Sequence, residues 1–527
     1  MPQHFLKTQP ARNLALVRVT LPLGVVAIAS FSTYLASPVD AASFSFIPGD
    51  LVVSRSTYQG TASTVTVGQT LPGGGKATDN GLYPNVFNNN KVDSSFGVTS
   101  PIFLDQITTS GTPVSTLNID PTVITTSFPS KSELALNLTA DGTGLTFMGY
   151  ATGINQLDVS NSNTPGIIEP GNPVTTTPTY REVAQVSSDG SLQVTTTNAY
   201  AGNNGRAAIL AANGLYYTVG NAGNGNGSTD ITNGAGVQIV TPGQNATAAT
   251  PGTNQVGHFN VTQYGYPADK TAKDSNFRGE TIFNNTLYVT KGSGGNGINT
   301  VYQVGSAGTL PNPATAGTTP ITILPGFPTT LASAKNNNSY PFGIFFANST
   351  TLYVADEGDG VAADAATSTT AGLQKWSLVG TTWQEDYVLQ NGLSLGTKYS
   401  VAGLDPTLNP ATDGLRNLTG KVNSDGTVTL FAITSTISAS GDQGADPNKL
   451  VAITDTLSNT TAAQAANEQF SVIDSATYGQ VLRGVSFAPQ ATAVPEPTET
   501  AGIAALALGL GSLCIKKKSK KQMKAAK

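Results

Sequence analysis

Short apolar runs that alternate with polar residues, each closed by a cluster of Asn, Asp, Ser or Gly, recur between about residue 50 and residue 490. Alternation of period two marks half-buried strands, and the small polar clusters mark tight turns between them. Five strand–turn–strand units resemble one another: ELALNLTADGTGLTFMG at 133–149, RAAILAANGLYYTV at 206–219, RGETIFNNTLYVT at 278–290, FGIFFANSTTLYVA at 342–355 and RNLTGKVNSDGTVTLFAI at 416–433. A half unit, RGVSFAP, begins at Arg483. Each complete unit predicts a β-hairpin. Apolar residues at period 3.6 are not sustained over three turns anywhere in this stretch, so helix is a minor component.

The copies start at residues 133, 206, 278, 342, 416 and 483. Two further strands fit between successive hairpins, such as Gly372–Leu378 with Thr382–Leu389, and Arg181–Val186 with Ser191–Thr196. A hairpin followed by two strands is a four-stranded propeller blade. Ordinary blades take about 40–50 residues, so these carry long loops. The last copy supplies one strand only. Before residue 133, the segments Asp50–Ser56, Ile102–Gln106 and Pro113–Ile119 read as three strands without a hairpin of their own. Pairing these three with the final strand closes the ring and removes an exposed sheet edge. The expected fold is therefore all-β, a propeller of six blades closed by N- and C-terminal strands, or seven if Ser56–Thr99 holds weak strands of its own.

Composition sharpens this picture at the two ends. Only 11% of the 527 residues are charged, and the net charge is −5. Of the 27 basic residues, Lys7, Arg12 and Arg18 precede the first apolar run, and seven lysines from Lys516 to Lys527 follow the last. Setting those ten aside, together with Asp40 and Glu499 from the 32 acids, leaves 17 bases against 30 acids, a body charge of −13. An acidic body disfavours nucleic acid, whose phosphates are bound by clustered Lys and Arg.

The basic start, the apolar run Val19–Ala36 and the small residues around Val39-Asp40-Ala41 predict a signal peptide over residues 1–41, cleaved after Ala41 by signal peptidase. The expected propeller body spans 42–490, a linker 491–500, and an apolar helix with its basic tail 501–527. The run Ala501–Ile515 is short for a span, and the flanking lysines extend its reach while staying on the cytoplasmic side. The linker contains Val494, Pro495, Glu496 and Pro497. VPEP, an apolar helix and a basic cluster, in that order at the end of the chain, resemble the PEP-CTERM sorting signal of exported Gram-negative and cyanobacterial proteins. That resemblance implies processing by an exosortase, transient anchoring in the inner membrane, and delivery to the cell surface or extracellular matrix. In the body, Gly49–Val53, Phe103–Gln106, Leu138–Gly142, Leu352–Asp356, Gly372–Trp376 and Arg483–Pro489 also resemble a group of uncharacterised bacterial propeller-type proteins, which implies the same fold and no particular activity.

Candidate chemistry is sparse. The one cysteine, Cys514, lies in the C-terminal apolar run, and of the two histidines only His258 lies in the body. His-based zinc sites, Ser-His-Asp triads and Cys-His pairs therefore lack their residues. Arg206, Arg278, Arg416 and Arg483 stand at the start of a first strand in four copies, so they should ring one channel mouth. There they would bind a carboxylate or phosphate, or tie neighbouring blades together through acids such as Glu133, Glu280 and Asp356. The loop Asp356-Glu357-Gly358-Asp359-Gly360 emerges on the same face; Asp356, Glu357 and Asp359 would hold Ca2+, or the loop is a solvated turn. Trp376 and Trp383 would stack a sugar or fill the space between blades. These readings favour a non-enzymatic binding or scaffold protein that meets an extracellular polysaccharide or matrix protein, with a hydrolase or lyase built on the Arg and carboxylate ring as the alternative.

Overall fold

The computed structural model describes residues 44–491, apart from 61–63, 72–74, 80–86, 90–96, 129, 131–132, 169–176, 224–232, 244–253, 258, 269–272, 293–294, 335–338 and 439–443. The expected signal peptide, the VPEP motif, the terminal helices and His258 lie outside the described residues. Residues 1–43 form a unit apart from 44–527.

Six four-stranded antiparallel sheets account for the body. The second blade runs outward from Asn137–Leu138 through Gly144–Tyr150 and Arg181–Ser187 to Leu192–Thr197. The third, fourth, fifth and sixth repeat this order, each led by an inner strand: Gly205–Leu210, Glu280–Phe283, Pro341–Asn348 and Ala411–Val422. The first blade is composite. Its inner strand is the C-terminal Gln480–Phe487, followed by Leu51–Thr57, Ile102–Ile107 and Pro113–Asn118. The six inner strands touch their neighbours in an unbroken circle, which makes the fold a closed six-bladed propeller.

The 56–99 stretch does not add a seventh blade. Among the described residues its short strands Ala77–Asp79 and Phe87–Asn89 pair with each other alone, and Val98–Ser100 pairs with Thr126–Phe128. Gly, Asn and Thr dominate there, leaving too few consecutive apolar residues to bury a four-stranded sheet.

Close approach at the ring centre explains a small residue in several inner strands. A Cβ on Gly343 would lie 2.6 Å from the Arg416 carbonyl oxygen of the next blade, and one on Gly484 would lie 2.4 Å from that of Leu134. Neither distance is physically accessible to a side chain, so glycine sets how tightly these strands meet. Away from the ring centre, apolar side chains fill much of the space between the fourth and fifth blades. Phe327, after the last strand of the fourth blade, stacks on Trp376 of the fifth with ring centroids 4.0 Å apart, and Trp383 meets Phe346 of its own blade edge-on in the same cluster. Both tryptophans are buried, so they are core between blades and offer no sugar platform.

Connections are distributed unequally over the two faces. One face, the short-turn face, carries the tight turns between first and second strands, such as Thr139–Gly144, Ala211–Leu215, Asn284–Asn285 and Asn423–Thr427, together with the links between third and fourth strands, of which 305–320 and 457–470 are longer. The other carries the long links between the second and third strands of a blade and from one blade to the next, among them 58–101, 151–180, 357–371 and 390–410. Both ends of the described body emerge on the short-turn face. The Ala488 N–H donates to the Asp50 carbonyl at 2.9 Å, and Gln490 N–H donates to the Gly142 carbonyl at 2.8 Å. Phe46 N–H donates to Ser188, in an outer turn of the second blade.

Candidate functional site

The four repeated arginines do converge on the channel, but they close it. Arg206, Arg416 and Arg483 are 4%, 4% and 2% exposed, and Arg278 is half-buried. Arg206 belongs to the third blade, yet its guanidinium feels Arg278 of the fourth, Glu357 of the fifth and Glu133 of the second. Only side chains meeting near the axis can do so. Burial, and then the repulsion of Arg278, hold Arg206 well below the usual arginine range, while Glu357 and Glu133 oppose the shift. Of the two expectations for these arginines, a ligand-binding mouth and ties between blades, the burial of Arg206, Arg416 and Arg483 beside Glu133 and Glu357 favours the ties.

Each buried arginine also reaches an adjoining blade. Arg416 Nε donates to Glu357 Oε2 at 3.0 Å, tying the sixth blade to the fifth. One Arg206 nitrogen donates to the Phe277 carbonyl at 2.7 Å and to the Asn276 side chain, tying the third blade to the fourth. Arg483 donates to the Gly444 carbonyl at 2.9 Å, joining the first blade to the sixth. Charge-assisted bonds to otherwise orphaned carbonyls suit guanidinium, whose five donors fan out in a plane.

The expected acidic partners divide differently from the sequence reading. Glu357, not Asp356, takes the arginine. Glu133 accepts from the Tyr150 hydroxyl, from Ser127 N–H at 3.0 Å and from Thr126 Oγ1 at 3.1 Å. Burial pushes its carboxyl up, against those bonds and the pull of Arg483. Glu280 is buried, with no hydrogen-bond partner for either carboxylate oxygen among the described residues. Burial alone pushes its carboxyl well above the usual carboxylate range.

At the proposed cation loop the protein supplies the ligands itself. Asp356 Oδ2 accepts from Ser339 Oγ and Tyr340 N–H, both at 2.6 Å, and from Gln374 Nε2 at 3.0 Å, while Oδ1 accepts from Gly358 N–H at 3.0 Å. Asp359 Oδ1 accepts from Val361 N–H at 2.8 Å, the pattern of a turn. Among the described residues, no group of three or more His, Cys, Asp or Glu side chains is arranged to hold a metal ion.

A feature that sequence reading missed is a buried polar knot between the fifth and sixth blades. Lys375 Nζ donates to Asp455 Oδ2 at 2.8 Å, to Tyr387 Oη at 3.0 Å and to the Thr456 carbonyl at 2.9 Å. Asp455 also accepts from the Tyr353 and Tyr387 hydroxyls, and both Lys375 and Asp455 are removed from solvent. A lysine between Leu373 and Trp376 in the GLQKW strand was its one sequence signal.

An accessible concavity lies at the opposite end of the channel, on the short-turn face. It encloses about 430 Å³ and takes wall residues from all six inner strands, among them Asn137, Ile209, Thr281, Phe345, Thr419 and Ser486. Alternation explains the mixture, because inner strands expose successive residues to opposite sides. Among the described residues the sole ionisable one in the wall is Glu280, whose carboxylate oxygens are out of reach of solvent.

No protein-family model matches the chain, and no curated protein matches it. Among solved structures, the N-terminal domain of Nup159 is similar at 6% identity with a TM-score of 0.28, over 84% of this chain and 97% of that one. So loose a superposition adds nothing to the propeller assignment, which rests on the sheet order and the closed circle of inner strands.

Proposed function

We propose that this chain is an exported β-propeller acting as a binding or scaffold protein at the cell surface or in the extracellular matrix. The observation that carries this reading is the division between the two faces. Both ends of the body leave from the short-turn face, so a tether attached there leaves the long-connection face free to meet a partner. Surface loops on a rigid scaffold are where recognition residues concentrate.

The address comes from the chain ends. The basic and apolar leader directs export, signal peptidase cuts after Ala41, and Val494–Pro497 mark the tail for an exosortase while the apolar run 501–515 holds the chain in the inner membrane. An extracellular polysaccharide or matrix protein is then the natural partner. A hydrolase or lyase would require substrate to reach Arg206, Arg416 and Arg483, which the fold withdraws from solvent.

Fractionation of the producing cell, with intact-mass measurement of the recovered protein, tests this. Protein in the surface or medium fraction, with a mass corresponding to loss of residues 1–41, is expected. Full-length protein in the cytoplasm would overturn it.

A further inference from the structure

We propose that the blind cavity on the short-turn face binds the end of a neutral, hydroxyl-rich chain, a neutral glycan terminus. This deepens the reading of the protein as a binding propeller and rests on it.

Three properties of the cavity select the ligand. The first is charge. Glu280 is the one ionisable residue of the wall among the described residues and both its carboxylate oxygens are buried, so no charged group faces the interior and neither an anion nor a cation would recover its lost hydration there. The second is the hydrogen-bonding inventory. Thr281, Thr419 and Ser486 line the cavity, and their hydroxyls have no partner among the described residues. Each can both donate and accept. The Asn137 amide nitrogen is held by the Ala208 carbonyl at 3.0 Å and that of Asn417 by the Arg483 carbonyl, which leaves their amide oxygens as acceptors. Half-buried Phe345 adds a flat apolar wall. Neutral donors and acceptors beside an aromatic ring match the hydroxyl groups and C–H face of a sugar. A volume of about 430 Å³ falls within the usual size of small-molecule sites.

The third property is closure. The channel does not run through, because buried Arg206, Glu133, Arg416, Glu357 and Arg483 fill its far end. A ligand can enter only end-on, so the site reads a chain terminus and rejects the middle of a polymer.

Titration calorimetry on the full-length protein tests this with linear neutral oligosaccharides of two to six hexose units, with uronate-bearing oligosaccharides of equal length, and with a cyclic six-unit glucan. Linear neutral chains should bind, with the uronate-bearing and cyclic ones at least ~10-fold weaker. The variant Thr281→Trp fills the cavity from a half-buried position and should weaken binding ~10-fold or more with an unchanged melting temperature, whereas Val379→Trp, at an exposed turn of the fifth blade, should leave it unchanged. Should Thr281→Trp unfold, Thr419→Trp fills the same space. Absence of binding by every neutral oligosaccharide, equal binding of the cyclic glucan, or full affinity in the filled variants would overturn the proposal. Association of the wild-type protein with the matrix fraction, measured alongside, separates the two readings. If it persists without oligosaccharide binding, only the cavity ligand falls; if it too is missing, the scaffold reading falls.

Discussion

Gly484 and Ser54 lie 430 positions apart in the chain, yet the Gly484 N–H donates to Ser54 Oγ at 2.7 Å. The same hydroxyl donates onward to the Leu134 carbonyl of the second blade, also at 2.7 Å. One small buried side chain thus joins the last strand, the first strand and the neighbouring blade at the seam that closes the ring.

Ser54→Ala leaves a buried N–H and a buried carbonyl without that partner, in a place where a Cβ on Gly484 would already collide. The expected loss is about 1–3 kcal/mol of unfolding free energy, measured by denaturant titration. Ser54→Thr keeps the hydroxyl and should lose less.

The knot between the fifth and sixth blades predicts a larger effect. Removing one partner of a buried ion pair strands the other, so Lys375→Met should cost about 3–5 kcal/mol. Adding Asp455→Asn should recover part of that loss. Purely additive penalties in a double-mutant cycle would contradict the pairing.

Stability should also fall as the medium becomes alkaline. Burial pushes Asp356 and Asp413 up to about 7, against the bonds from Ser339, Tyr340 and Gly358 to the first and from Gly360 to the second. Glu357 raises both, Asp359 raises Asp413, and Arg416 lowers Asp413. Their folded values stand above the unfolded value of about 3.9, so their contribution is full below pH ~4 and is lost as pH rises to about 7. The exposed turn residues Asp120, Asp189, Asp405 and Asp425 shift downward, so their contribution is lost only at more acidic pH. A thermal melt at pH 5.5 should therefore give a higher midpoint than one at pH 8, and Asp413→Asn should narrow the difference. Equal midpoints would refute this.

Chelation gives a sharp test at the acidic loop. Because Asp356 is saturated by four protein donors, an excess of EDTA should leave the melting temperature unchanged. A drop of several degrees would mean that a cation holds this loop.

Much of this architecture was legible in the sequence, for physical reasons. Period-two alternation located the inner hairpins, and the unpartnered strands near residues 50, 102 and 113 announced the closure that Leu51–Thr57 and Gln480–Phe487 make. Alternation says which residues share a face of a strand. It does not say how closely the strands around a channel approach, so it placed Arg206, Arg416 and Arg483 at one end without revealing that they are buried there. Nor could it choose between Asp356 and Glu357 as the partner of Arg416, since adjacent residues point to opposite sides and the choice depends on the path of the loop. The small residues that follow the repeated position, Ala207, Gly279, Gly343 and Gly484, were the overlooked sign of tight packing at the centre.

The closed ring is the claim on which the rest depends. Thr57 and Gln480 face each other across the seam, so Thr57→Cys with Gln480→Cys, in a chain carrying Cys514→Ser, should form a disulfide under mild oxidation. After cleavage of a central loop, the two halves should remain joined on a denaturing gel without reductant and separate when it is added. Halves that separate without reductant, in protein shown to be folded, would contradict the closure and the blind channel with it.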